Sequence, residues 1–192
     1  MAVVHYPRKT GMRRIVVKNH MSLDGFFEGP NKEIDWFGFD QEQFQDSVEL
    51  LNSVDTLLFG RTTYEMMKAY WTVAPPDPIS DKMNSLPKVV FSSTLESADW
   101  NNTRVVYGDI SEEASQLKQQ PGSDMVILGS GKLASLLLGR GLVDEYRVYI
   151  APIVLGHGNP LFQPISERIN LKLLSQKIFR SGVVMLVYQK AD

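Results

Sequence analysis

Cysteine is absent from the 192 residues. That excludes disulfides, thiolate nucleophiles and cysteine-ligated metals, including the H-x-E…C-x-x-C zinc centre of nucleobase deaminases. It fits a reducing compartment, and a cytoplasmic protein is the expectation. Histidine is scarce too: His5, His20 and His157 stand at no ligand spacing, so no metal site is expected. No apolar run approaches the roughly 18 residues that span a bilayer. The opening MAVVHYPRKTGMRR carries charge without an apolar centre, so neither signal peptide nor membrane partner is expected. Charge of one sign is missing as well. Twenty Lys and Arg stand against 22 Asp and Glu, for a net charge of −2, and form no basic block. No nucleic-acid partner is expected. No internal repeat marks a solenoid.

What is present is an ordinary globular composition, 43% hydrophobic and 22% charged, in a length that suits one domain. Residues 1–12 read as an N-terminal extension and 13–192 as a single domain, because patterning begins near Arg13.

Along the chain, strand-like and helix-like segments alternate. Residues 14–20 (RIVVKNH) read as a strand. Residues 22–38 carry the turn signals Asp24-Gly25 and Gly29-Pro30-Asn31. This loop region also carries Phe26, Phe27, Trp36, Phe37 and Phe39, which either plug the core or line a flat ligand's pocket. Residues 40–52 form an amphipathic helix that Asp40 can cap. The strand 56–60 runs into a helix over 61–70, where Thr62 and Glu65 have capping-box spacing. Residues 79–86 give one or two helical turns, followed by a strand at 88–93, another at 104–107 and a polar helix at 111–119. After about Leu138 strands dominate: 143–153, 169–178 and 183–190, the last two joined by a hairpin at Ser181-Gly182.

The focal stretch is 125–138, MVILGSGKLASLLL. A buried strand ends at Gly129-Ser130-Gly131-Lys132 and a helix follows. Glycines let a ligand approach the backbone, and free N–H groups at a helix start attract phosphate. The alternative is a tight turn with nothing bound. Arg61 with Thr62 and Thr63, and Ser92-Ser93-Thr94, also follow strand ends and also suit phosphate or ribose. Alternation predicts an α/β fold with a mostly parallel sheet flanked by helices and antiparallel C-terminal strands. In such sheets ligands sit at the strands' C-terminal ends, where all three groups fall. A kinase-type P-loop is excluded, since Val126 and Leu133 stand where it needs Gly and Ser/Thr. Gly129-x-Gly131-x-x-Ala134 meets only a loose Rossmann fingerprint, because Asp144-Glu145 precede the next strand instead of ending it. No G-x-S-x-G elbow exists.

Five segments in order resemble one superfamily: Ser22-Leu23-Asp24-Gly25; LFGRTTYE from Leu58; KVVFSS from Lys88; Gly129-Ser130-Gly131-Lys132-Leu133; and PIVLGHGNPLF from Pro152. The pattern is similar to the dihydrofolate-reductase-like superfamily. Within it, the match is to the C-terminal reductase domain of the bifunctional riboflavin-biosynthesis deaminase-reductase and its stand-alone relatives. The resemblance implies an NADPH-dependent reductase. The substrate would be a ribosylaminopyrimidine of the 5-amino-6-(5-phosphoribosylamino)uracil type, or a pteridine-like ring. A non-catalytic NADP(H)-binding module is the alternative. It implies that Gly60, Arg61, Thr62 and Thr63 hold the pyrophosphate and adenosine side. Ser92, Ser93 and Thr94 would take the ribose or its 2′-phosphate, and Gly129, Ser130, Gly131, Lys132 and Leu133 the pyrophosphate and nicotinamide end. Arg61 favours NADP over NAD, since a 2′-phosphate suits a guanidinium. Asp40 is the expected proton-handling or substrate-orienting carboxylate, with Asp24 and Glu28 as alternates. Phe27 and Trp36 would face the substrate ring. A homodimer through the late strands is implied by the same resemblance.

Overall fold

A computed structural model describes residues 11–163, 165 and 167–191. Most of the expected extension at 1–12 therefore lies outside the described residues, as does His5. The elements are β1 (Ile15–Ser22), β2 (Phe26–Glu28), α1 (Gln41–Ser53), β3 (Val54–Gly60), α2 (Arg61–Trp71), α3 (Pro78–Ser85), β4 (Lys88–Phe91) and β5 (Thr103–Val106). Then come α4 (Ile110–Gln119), β6 (Asp124–Leu128), α5 (Gly131–Gly139), β7 (Glu145–Ala151), β8 (Asn159–Pro160), β9 (Leu171–Ile178) and β10 (Val184–Lys190).

Eight strands form one sheet in the order β5-β4-β3-β6-β1-β7-β10-β9. The pairs from β5 to β7 are parallel, and β10 enters antiparallel against β7 and β9. This is the expected α/β architecture. The parallel strands are apolar on both faces because both are covered. On one face Ile15, Val17, Met125 and Ile127 pack with Leu133 and Leu137 of α5 and Leu117 of α4. On the other, Val16, Leu57, Phe59 and Val126 pack with Leu50 and Leu51 of α1, Tyr64 of α2 and Met83 of α3. A smaller cluster of Tyr149, Phe179, Val183, Met185 and Val187 consolidates the antiparallel end.

Three expectations need correction. The residue 22–38 and 152–162 segments are not wholly loop: β2 and β8 pair as a separate two-stranded sheet. Strand 143–153 is shorter, running from Glu145 to Ala151, because Pro152 has no N–H to continue a ladder. The Thr62–Glu65 capping box does not form. Gly60 is the N-cap of α2 without a side-chain cap, and Glu65 turns to Arg61 instead.

Candidate active site

Every parallel strand of the large sheet presents its C-terminal end to one edge. There the chain treats its helix starts in two ways. α1, α3 and α4 begin on Asp40, Asp77 and Asp109, whose carboxylates accept from first-turn amides. α2 and α5 begin on Gly60 and Ser130 with no side-chain cap, so no capping side chain accepts from their first amides. Those two starts follow β3 and β6, neighbours in the sheet.

The turn after β6 is shaped by backbone alone. Gly129 and Ser130 both take left-handed conformations, at φ +67° and +53°. A Cβ at Gly129 would lie 3.3 Å from Thr63 Cγ2, and one at Gly131 would lie 3.2 Å from the Leu161 carbonyl. Ser130 Oγ accepts from the Gly60 amide at 3.0 Å and so ties the two strand ends together. Leu133 is buried in the core, so only its backbone can meet a ligand, whereas Lys132 is exposed.

One strand further out, Arg61 Nη1 donates to Thr94 Oγ1 at 2.8 Å and to the Thr94 carbonyl at 3.3 Å, while its Nε pairs with Glu65. Ser92 Oγ accepts from the Thr94 and Leu95 amides and shapes the segment after β4. Gly60, Arg61, Thr63, Ser92, Thr94, Gly129, Ser130 and Gly131 thus stand together on one edge. Thr62 and Ser93 lie beside them at the surface.

The residues expected to meet a substrate are brought together in part. Phe27 packs on the glycine turn, within 3.6 Å of the Cβ position of Gly129 and 3.7 Å of that of Gly131. Glu28 accepts from Asn159 Nδ2, and β2 pairs with β8 beside it. Asp24 accepts from the Leu155 and Gly156 amides at 3.1 and 2.8 Å. The Ser22 hydroxyl and these amides hold its carboxyl down to about 2. Asp24 therefore latches the loop after β1 to the loop after β7. Trp36 sits edge-on to Phe37. Asp40 caps α1 through Gln43 N and also accepts from Ser181 N, both at 2.8 Å. These contacts hold its carboxyl below the usual range. Both oxygens of Asp40 and of Asp24 are engaged by backbone amides.

Sequence reasoning missed the polar cluster behind this rim. Lys18 and His20 point from β1 to the face that α1 covers. Lys18 is buried. Its Nζ donates to Ser47 Oγ at 2.5 Å and lies 4.7 Å over the Tyr149 ring. Burial lowers its pKa to about 8, with the Asp46 charge opposing the fall. Asp46, on the same helix, accepts from the Tyr149 hydroxyl, whose own pKa burial and Asp46 raise well above 10. His20 stacks between Phe37, at 4.6 Å, and Tyr149, at 4.8 Å. Burial, then the Lys18 charge, push its pKa down to about 3. Part of the signal was available. A strand of a parallel sheet is covered on both faces, so Lys18, Asn19 and His20 in β1 stood out as polar residues facing the interior, but their neighbours on α1 and β7 did not.

A concavity of about 600 Å³ opens at the opposite edge, lined by Arg13, Thr56, Lys88 and Trp100 among others. Lys88 Nζ there donates to three backbone carbonyls, those of Asn84, Leu86 and Asn101. That satisfies all its donors within the fold.

No helix among the described residues is long and apolar enough to cross a membrane. In sequence, the chain matches the RibD C-terminal domain over residues 13–185. It is 39% identical to the uncharacterized protein YyaP of Bacillus subtilis (strain 168) over 181 residues, 92% of this chain and 94% of that one. In structure it resembles a putative riboflavin biosynthesis protein from Shewanella sp. PV-4, with a TM-score of 0.76 at 22% identity over 93% of this chain and 99% of that one. It also resembles the dihydrofolate reductase of Enterococcus faecalis complexed with NADP(H), with a TM-score of 0.63 at 14% identity, covering 94% of this chain and 99% of that one. Those likenesses establish a dihydrofolate-reductase-like fold, and the sequence match places the chain more closely: it belongs to the RibD C-terminal domain family.

Proposed function

We propose that the chain is an NADPH-dependent reductase of a flat nitrogen heterocycle, either a ribosylaminopyrimidine or a pteridine-like ring, with residues 13–192 acting as one reductase domain. The observation that carries this reading is the meeting of two uncapped helix starts with the Arg61–Thr94 pair on a single sheet edge. A dinucleotide phosphate has its anionic groups spaced for such an arrangement. The residues fit the group. A Cβ at Gly129 or Gly131 would crowd the turn, and the amides of α2 and α5 have no side-chain acceptor.

In this reading Gly60, Thr62, Thr63 and the Gly129–Leu133 backbone, with Lys132 at the rim, hold the pyrophosphate. Arg61, Ser92, Ser93 and Thr94 receive the 2′-phosphate and ribose. When bound, NADPH would supply the hydride. The chain's own residues position the rings and manage the proton. Phe27 and Trp36 form the aromatic boundary of the pocket. Asp24 and Glu28 hold the covering loops together, and Asp40 fixes the start of α1 against the β9–β10 hairpin. Lys18, with a pKa of about 8 and a direct bond to Ser47, keeps a proton at Nζ near neutral pH.

The test is to mix the protein with NADPH and either 5-amino-6-(5-phosphoribosylamino)uracil or dihydrofolate, and follow loss of NADPH absorbance. Oxidation that depends on one of the two rings is expected. Tight NADPH binding without turnover of either would favour the alternative, an NADP(H)-binding module.

A further inference from the structure

Tyr107 follows the last residue of β5, at the same sheet edge as the glycine turn. It is a large ring with 58% of its surface exposed. An exposed tyrosine is usually free to rotate, but this one is pinned. Its hydroxyl donates to the Leu95 carbonyl at 2.9 Å, with the Glu96 carbonyl at 3.2 Å. The ring is thus held against the segment that carries Ser92 and Thr94, and Thr94 is the residue Arg61 grips. The base of this segment is fixed as well, since Ser92 N donates to the Val106 carbonyl, one residue before Tyr107. Arg61, Thr94 and Tyr107 therefore share one short, braced stretch of surface.

The sheet order gives the reach. From β6, which ends at the glycine turn, to β5 is three steps across β3 and β4. At about 4.8 Å per step the separation is roughly 14 Å. A dinucleotide laid across the strand ends, with its pyrophosphate over Gly60 and Gly129, carries its adenine outward past Arg61 to β5. A purine there needs a flat apolar partner, and a pre-positioned tyrosine loses little freedom on stacking.

We propose that Tyr107 is the stacking wall for the adenine base and sets affinity for the adenosine half of the cofactor. This rests on the dinucleotide reading above. Binding would be measured by calorimetry with three probes: NADPH, adenosine 2′,5′-bisphosphate and reduced nicotinamide mononucleotide. Tyr107→Ala should weaken NADPH and the bisphosphate about tenfold each, the scale of one base–aromatic stack. It should leave the mononucleotide, which lacks adenosine, unchanged. Tyr107→Phe keeps the ring and loses only the hydroxyl contacts, so it should bind all three nearly as the wild type does. Wild-type affinity for the bisphosphate in Tyr107→Ala would overturn the proposal. So would a Tyr107→Phe variant as weak as Tyr107→Ala, which would make the residue a loop brace only. A wild-type protein that binds neither NADPH nor the bisphosphate would overturn the dinucleotide reading itself, and this inference with it.

Discussion

His20→Phe tests the electrostatics behind the pocket. The imidazole is enclosed between Phe37 and Tyr149, and burial with the nearby Lys18 charge holds its pKa near 3. In the unfolded chain a histidine titrates near 6.5. Between those values the unfolded chain binds the extra proton, so stability falls as pH drops through that window. The slope is about 1.4 kcal/mol per pH unit, which amounts to about 2 kcal/mol lost between pH 6.5 and pH 5. The carboxyls of Asp24 and Asp40 are held low in the fold, so their contributions are lost only at more acid pH and leave this window to the imidazole. Phenylalanine preserves the ring stack and removes the titration. Urea midpoints measured at about pH 7.5 and about pH 5 should show the wild type losing about 2 kcal/mol more than the variant over this interval. Equal losses in the two proteins would mean that His20 takes its proton without leaving the fold, contrary to this expectation.

Three further outcomes are expected. Ser130→Ala removes the bond to the Gly60 amide; it should cost about 1 kcal/mol of stability and weaken NADPH binding, both readable from a thermal-shift series with and without cofactor. Asp46→Asn removes the charge that keeps Lys18 protonated. The lysine should then titrate below 8, as lysine-selective NMR would read directly, and a titration unchanged from wild type would count against the pairing. Ile178 is 72% exposed at the end of β9, next to β10, whose Leu186 and Tyr188 help line an apolar groove of about 270 Å³; if the late strands form a homodimer, Ile178→Glu should shift sedimentation to the monomer.

Much of the fold was legible because its signals are local. Short apolar runs mark β1, β3, β4 and β6, and Asp40 caps α1 as the sequence suggested. Gly129 and Gly131 stood out because a strand that stops at a glycine pair before a leucine-rich helix leaves few other conformations. The Thr62–Glu65 spacing misled, since Gly60 had already taken the cap position and Arg61 offered Glu65 a better partner. The β2–β8 sheet was not legible. Its strands have three and two residues and are paired across more than a hundred positions. A pairing so short has no period to detect. The Lys18–Asp46–Tyr149 cluster was hidden for a related reason: its members come from β1, α1 and β7, and only the packing of α1 on the sheet brings them together.

In the proposed reading, this sheet edge binds NADPH through Arg61. Its direct test is to titrate the purified protein with NADPH and with NADH, following tryptophan fluorescence, and to repeat both titrations with Arg61→Ala. Tight NADPH binding, weak NADH binding and a loss of at least tenfold for NADPH alone in the variant are expected, in line with a charged hydrogen bond of about 1.5–3 kcal/mol. Equal affinity for the two cofactors, unmoved by the substitution, would contradict it.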